Sequence, residues 1–363
     1  MAVALRLARR GLGTVWPNPA VGCVIVAGAG GEARVVGRGW TQPGGRPHAE
    51  TEALRRAGEA ARGATAYVTL EPCCHSGKTP PCTEALKAAG IVRVVAAMAD
   101  PDERVSGQGF KALEAAGIAV ECGLGGAEAA EINAGYILHR TEGRPLVTLK
   151  LATSLDGRIA THRGESKWIT GDEARAAAHL LRARHDAIMI GIGTAAEDDP
   201  MLDCRLPGLE GRSPLRVLLD GHLRLPLTNR MVATARELPV WLITREGGDE
   251  GRKDLLAEAG VEIFEMPADT EDRPPLPEIL ALLGEGGVTR LLVEGGSHLA
   301  AAIMAEDLVD RIEWFRAPMV MGGDGVSAIQ PFGVDRLADA RRYTRTNIRH
   351  PGADLLESLR RGD

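Results

Sequence analysis

Two blocks of short aliphatic runs alternate with helix-patterned segments, parted by one polar break. This constrains the chain's fold more than any other feature. In the first block, "AVGCVIV" (Ala20 to Val26), "ATAYVTL" (Ala64 to Leu70), "VRVVAAM" (Val92 to Met98) and a short run near Ile118 read as strands. "HAETEALRRAGEAA" and "CTEALKAAG" between them read as helices that end near a glycine. The break is "TEGRP", Thr141 to Pro145. Beyond it "LVTLKLA", "HDAIMIG", "LRVLLDG", "PVWLIT", "VEIFEM" and "TRLLVEGG" restart the pattern, and "PADTEDRPPLP" (Pro267 to Pro277) reads as a surface loop. Strand–helix alternation predicts an α/β architecture in each block. The expected domains are 1–144 and 145–363, with no internal repeat.

Composition narrows the class. At 363 residues the length suits two domains. Aromatics are only 3%, so the cores must be aliphatic. The net charge of −6 disfavours a nucleic-acid or anionic-membrane binder. No apolar run reaches the roughly 18 residues of a membrane span. Arg6, Arg9 and Arg10 interrupt the first apolar run, which reads as an amphipathic helix and not a signal peptide. A cytoplasmic, homo-oligomeric protein acting on a small molecule is expected. Six cysteines in a chain this long do not make a disulfide framework. Cys23, Cys122 and Cys204 are dispersed and read as packing residues.

The other three cysteines lie in "EPCCHSGKTPPC", Glu71 to Cys82. Upstream, "PHAE" supplies His48 and Glu50 at a helix start. One His and two thiolates form a catalytic zinc set, leaving a fourth position for water. Zinc lowers that water's pKa to about 7. Glu50, two residues from His48, can move protons without being a ligand. The His-x-Glu…Pro-Cys signature of zinc base deaminases places a ligand directly after the proline, which selects Cys73. Neighbours in an extended stretch point apart, so Cys74 is not expected to share the metal. Thr79 as cap, with Pro80 and Pro81 in the first turn, would put Cys82 at a helix N-terminus, where the dipole favours a thiolate. The Cys-x8-Cys spacing is longer than the short Pro-Cys-x-x-Cys form. A structural zinc site with Cys74 or His75 as fourth ligand is the competing reading.

"PNPAVGCVIV", "PHAE", "TLEPCCHSGKTPPC" and the Asp100–Pro101 pair resemble the deaminase half of the bifunctional riboflavin-biosynthesis deaminase/reductases. In that family the longer Cys-x8-Cys loop is normal. The resemblance implies a cytidine-deaminase-like three-layer sandwich, Zn2+ on His48, Cys73 and Cys82, and Glu50 as proton shuttle. It implies pyrimidine contact from Asn18, with Lys78 and Thr79 as further substrate contacts. Three departures stand out. Cys74 replaces a frequent Ser. Asp102 and Glu103 replace a usual Asn-Pro, which removes the basis for a substrate contact at 102. A few residues that usually precede the first helix are missing, so the natural start is expected upstream.

In the second block, "TLKLATSLDGRIA", "GESKWIT", "GIGTAAEDDPMLDCR" and "LLVEGGSHLAAAIM" resemble the reductase half of the same family. A Gly-rich strand-to-helix turn such as Glu294–Ser297 suits a phosphate, though the signal is weak alone. No Gly-x-Gly-x-x-Gly supports a Rossmann fold. The resemblance, covering roughly residues 1 to 350, implies a dihydrofolate-reductase-like α/β domain using NADPH. Ala152, Trp168, Thr194, Asp198, Gly295, Gly296 and Ser297 would meet the cofactor. Lys150, Ser166, Arg182, Leu202, Arg205 and Glu294 would meet substrate. Guanidinium forks suit a ribose phosphate. Structural alternatives are surface charge for both arginines and core packing for Trp168. Asp203 stands where the family often has Thr and could draw Arg205 away from a phosphate.

The implied activity has two steps: hydrolytic deamination of a diaminopyrimidinone ribosylamine phosphate, then NADPH reduction of its ribosyl side chain to ribityl. The rivals are a nucleoside or nucleic-acid deaminase with an unrelated C-terminal domain, and a non-catalytic zinc-stabilised scaffold. A chain with one decayed half is a third reading.

Overall fold

The computed structural model describes residues 1–75, 80–102, 106–270 and 272–362. The chain divides into two compact units, Met1–Arg144 and Pro145–Asp363.

Unit one runs α1 (Ala2–Ala8), β1 (Gly22–Ala27), β2 (Arg34–Trp40), α2 (Ala49–Ala57), β3 (Thr65–Val68), α3 (Cys82–Ala88), β4 (Arg93–Ala96), α4 (Gln108–Ala115), β5 (Ala119–Cys122), α5 (Gly126–Ile132) and α6 (Ala134–Glu142). Its sheet has the order β2-β1-β3-β4-β5. β1 pairs antiparallel with β2 and β3, while β3, β4 and β5 are parallel.

The glycines of this sheet explain its layers. Gly22 pairs with Trp40, so Gly39 points to the opposite face. A Cβ on Gly22 would lie 2.0 Å from Ala4 O of α1. A Cβ on Gly39 would lie 2.2 Å from Ala49 O, and one on Gly37 would lie 2.3 Å from Ala53 O, both in α2. Missing side chains thus let α1 and α2 press on opposite faces. Each face has its own core: Cys23, Ile25, Ala53, Val94 and Leu86 under α2 and α3, and Leu5, Ala8, Ala20, Ala97 and Ile132 under α1 and α5. The result is three layers. β2 is absent from the sequence reading because those same glycines interrupt its pattern.

Unit two runs β6 (Leu146–Thr153), β7 (Arg158–Ala160), α7 (Asp172–Arg182), β8 (Ala187–Gly191), α8 (Ile192–Asp198), β9 (Leu215–Leu219), α9 (Arg230–Ala233), β10 (Val240–Arg245), α10 (Glu250–Glu258), β11 (Glu262–Met266), α11 (Leu276–Glu285), β12 (Arg290–Val293), α12 (Ser297–Ala305), β13 (Arg311–Arg316), β14 (Val326–Ser327), β15 (Tyr343–Arg349) and β16 (Leu355–Arg361). Its main sheet has the order β11-β10-β9-β8-β12-β6-β13-β16-β15. Every pair from β11 to β13 is parallel; β13, β16 and β15 are antiparallel. The central strands are buried on both faces, which is why they read as unbroken aliphatic runs. β7 and β14 form a separate small pair. The expected loop at Pro267–Pro277 yields to α11 at Leu276. Among the described residues, no helix is long and apolar enough to cross a membrane.

Candidate functional site

Unit one gathers its donors from three elements. His48 is the N-cap of α2, with extended backbone. Glu50 sits in the first turn of α2, only 3% exposed. Cys73 follows β3, and Cys82 opens α3. Pro81 is the N-cap of α3, so the prolines precede the helix instead of filling its first turn. Thr79, read as a cap, lies outside the described residues with Lys78 and Glu103.

Ligand atoms of His48, Cys73 and Cys82 all lie within 4.8 Å of one another. His48 Nδ1 is 3.3 Å from Cys82 Sγ and 3.6 Å from Cys73 Sγ. The backbone N–H of Cys82 donates to Cys73 Sγ at 3.3 Å, so the helix terminus faces a thiolate. Hydrogen bonding from Cys82, then His48, holds the Cys73 thiol down to about 4. Burial, then the Cys73 charge, pushes Glu50 up to about 7. Its carboxyl also reaches Cys82. Among the described residues no fourth His, Cys, Asp or Glu joins the group, and Cys74 and His75 stand outside it. An imidazole and two thiolates at this spacing fit one tetrahedral zinc ion, with three protein donors.

The surrounding loops are tied to this centre. Asn18 is half-buried, and a Cβ on Gly45 would fall 1.9 Å from its Nδ2, so only glycine admits that side chain. Sequence reasoning missed Glu71. This buried carboxylate accepts from the backbone N–H groups of Asp100, Gly107, Gly109 and Phe110 and holds Asp100 and the start of α4 beside Pro72. Asp102 is buried and paired with Arg140 at 2.8 Å, a structural role.

Unit two presents a different chemistry at the carboxyl ends of its parallel strands, where open α/β sheets place ligands. Glu294 directly follows β12 and meets Arg182, the last residue of α7, through two bonds of 2.8 and 3.0 Å. Lys150 Nζ from β6 lies 3.5 Å from Glu294. Burial alone would raise the Glu294 pKa; the Arg182 and Lys150 charges more than offset it and hold the carboxyl well below the usual range. Arg182 also donates to Asp203 O at 3.1 Å. Arg182 is therefore no surface charge.

Arg205 is more exposed and is ion-paired with Asp203, the carboxylate that replaces the frequent Thr. The Leu202 side chain is 3% exposed and packs in the core, which leaves only its backbone to meet a ligand. Trp168 is 67% exposed, which rules out the core alternative. Arg175 stacks 4.7 Å above its ring. Lys167 pairs with Asp198 at 3.1 Å, joining the loop of Ser166 and Trp168 to α8. Thr194 Oγ1 accepts from Gly296 N at 2.9 Å, which brings the starts of α8 and α12 together. Ala152 lies on β6 against the core. Ser297 is held by Gln330, which donates to its Oγ at 3.0 Å. Lys167, Arg175 and Gln330 carried no sequence signal, because their partners are distant or lie in irregular segments.

Comparison with known proteins joins the two centres. Residues 1–98 match the cytidine and deoxycytidylate deaminase zinc-binding region, and residues 145–356 match the RibD C-terminal domain. The riboflavin biosynthesis protein RibD of Bacillus amyloliquefaciens is 40% identical over 356 residues, covering 98% of this chain and 94% of that protein. Its Escherichia coli counterpart is 41% identical over 371 residues, covering 99% and 98%. The Acinetobacter baumannii RibD structure superposes with a TM-score of 0.88 at 37% identity, covering 100% and 98%. A Thermotoga maritima diaminohydroxyphosphoribosylaminopyrimidine deaminase/5-amino-6-(5-phosphoribosylamino)uracil reductase gives 0.85 at 34%, covering 100% and 97%. With a deaminase zinc-binding region and a RibD C-terminal domain matched in one chain, and relatives about 40% identical over nearly their whole length, the chain belongs to the RibD family of bifunctional riboflavin-biosynthesis deaminase/reductases.

Proposed function

We propose that unit one deaminates a diaminopyrimidinone ribosylamine phosphate and that unit two then reduces its ribosyl side chain with NADPH. The observation that carries the reading is the convergence of His48, Cys73 and Cys82 beside the buried Glu50. Those three residues would hold Zn2+, which supplies an acidified water at neutral pH. Glu50, with its carboxyl near 7, takes a proton from the attacking water and returns it to the substrate as ammonia leaves. Asn18 holds the pyrimidine.

In unit two, Ala152, Trp168, Thr194, Asp198 and the Gly295–Ser297 turn bind NADPH, which supplies the hydride. The Gly296 N–H is spent on Thr194 and ties the two helix starts together, and the following N–H groups of α12, from Ser297 on, meet the NADPH phosphates. Lys150, Arg182 and Glu294 orient the substrate, with Ser166 and the Leu202 backbone alongside. Arg205 leaves Asp203 to meet the ribose phosphate.

The test follows ammonia release and NADPH oxidation by the wild type and Glu50→Gln. Expected is a loss of ammonia release of at least about 100-fold in the variant, with unchanged reduction of the deaminated intermediate. A zinc-loaded wild type that releases no ammonia from this substrate overturns the assignment.

A further inference from the structure

The segment Pro17–Asn18–Pro19 can do little to fix its own backbone. Two of its three residues lack an N–H, and the remaining donor, Asn18 N, closes a turn onto Val15 O at 3.0 Å. The segment's last residue and the two that follow, Pro19 to Val21, are gripped from outside by two buried side chains. Thr41 Oγ1 accepts from Val21 N at 3.0 Å and donates to Pro19 O at 3.1 Å. Asn133, at the α5–α6 junction, accepts from Ala20 N at 2.9 Å and donates to Ala20 O at 3.2 Å. Thr41 is 3% exposed and Asn133 2%.

These side chains bond the two edges of one peptide segment, residues 19 and 21 on one side and 20 on the other, as neighbouring strands would. The same region is docked on the loop that leads to His48. Gly44 N donates to Thr14 O at 2.8 Å, and Gly45 abuts the Asn18 side chain. The mechanism uses neither Thr41 nor Asn133. Apart from a longer bond from Asn133 Nδ2 to Ala129 O of α5, the polar atoms of this buried hydroxyl and buried amide are spent on the backbone of Pro19 to Val21, a cost that is offset where that segment must hold one shape.

We infer that Thr41 and Asn133 are positioning residues for deamination, forming a clamp that sets the Asn18 amide against the pyrimidine. This rests on the role proposed above for Asn18. The clamp acts on substrate binding and not on the metal donors, which lie on α2, α3 and the segment after β3.

The test is steady-state ammonia release by the full-length zinc-loaded chain. Its variants are Thr41→Val, Thr41→Ser, Asn133→Ala, Asn18→Ala and the double variant Asn18→Ala/Thr41→Val. Thr41→Val, which removes two hydrogen bonds while keeping shape, is expected to raise KM about tenfold. Its kcat should stay within about twofold and its zinc content full. Thr41→Ser should restore KM. In the Asn18→Ala background, Thr41→Val should add nothing, because the residue it positions is gone.

Asn133→Ala carries the same expectation, including when Thr41→Val does not fold. Independent, multiplying effects of Thr41→Val and Asn18→Ala overturn the clamp. So does a fall in zinc content or in kcat at unchanged KM. If Asn18→Ala alone changes nothing, the Asn18 assignment falls and takes the clamp with it. If Asn18→Ala raises KM while Thr41→Val and Asn133→Ala do not, the clamp alone falls.

Discussion

His185 is a titratable residue that the fold holds in one protonation state. It is 3% exposed; Nδ1 lies 2.7 Å from Leu181 O and Nε2 lies 3.0 Å from Thr148 Oγ1. That pattern is a neutral imidazole donating at Nδ1 and accepting from the threonine hydroxyl. Burial, then the charge of Arg290, pushes its pKa from 6.5 down to about 3. Between those values the unfolded chain binds a proton that the folded chain refuses, so stability falls as pH falls through that window. From pH 6.5 to 5 this one group should remove about 2 kcal/mol from unit two. Urea titrations of the wild type and His185→Gln at both pH values check it. The variant should be less stable at pH 6.5 yet lose less on acidification, and equal slopes would refute the assignment. No sequence signal marks His185, since its constraint comes from Thr148 on a strand far away in the chain. His48, Cys73 and Cys82 are different. Metal chemistry restricts their residue types and the proline marks one of them, so their pattern is legible before the fold is known.

At the scale of elements, a helix that carries catalytic groups is only as well placed as the surface under it. α2 holds His48 at its cap and Glu50 in its first turn, and it rests on two glycines of β2. Gly39→Ala puts a Cβ 2.2 Å from Ala49 O, one residue from Glu50. α2 must shift outward, at an overpacking cost of about 1–3 kcal/mol. The variant should melt earlier in unit one, hold less zinc per chain and release ammonia more slowly, while still reducing the deaminated intermediate normally. Gly31→Ala, where nothing lies within 4 Å of the added Cβ, is the control and should change none of these. If Gly39→Ala matches that control, α2 is not seated as described. This geometry also explains the limits of reading strands from sequence. β8, β9 and β12 are covered on both faces, so burial writes itself into unbroken aliphatic runs. β2 hides because helix packing demands glycine, and β13, β15 and β16 hide because the sheet's antiparallel end carries arginines and glutamates. Arg316 and Arg345 both pair with Glu357 there, a pattern that reads as surface charge until the strands are aligned.

At the scale of the whole molecule, each of the two compact units has its own cluster of chemically active side chains. The zinc-type donors all come from unit one, and the Lys150–Arg182–Glu294 cluster comes entirely from unit two. Under the proposed function the metal donors and the reductase cluster belong to different units, so removing zinc should separate the activities. A strong chelator should abolish ammonia release from the diaminopyrimidinone substrate, because the water is then no longer acidified near neutral pH. NADPH oxidation with the already deaminated intermediate should continue at its original rate. With the amine-bearing substrate and NADPH supplied together, the chelated enzyme should show neither product if reduction requires prior deamination. Adding back one equivalent of Zn2+ per chain should restore ammonia release first and NADPH oxidation after a lag, as the intermediate accumulates. A chelated enzyme that also fails to reduce the deaminated intermediate would mean that the metal supports unit two as well. Loss of zinc would then act through stability, and thermal melts of the chelated protein would show both units unfolding early instead of unit one alone.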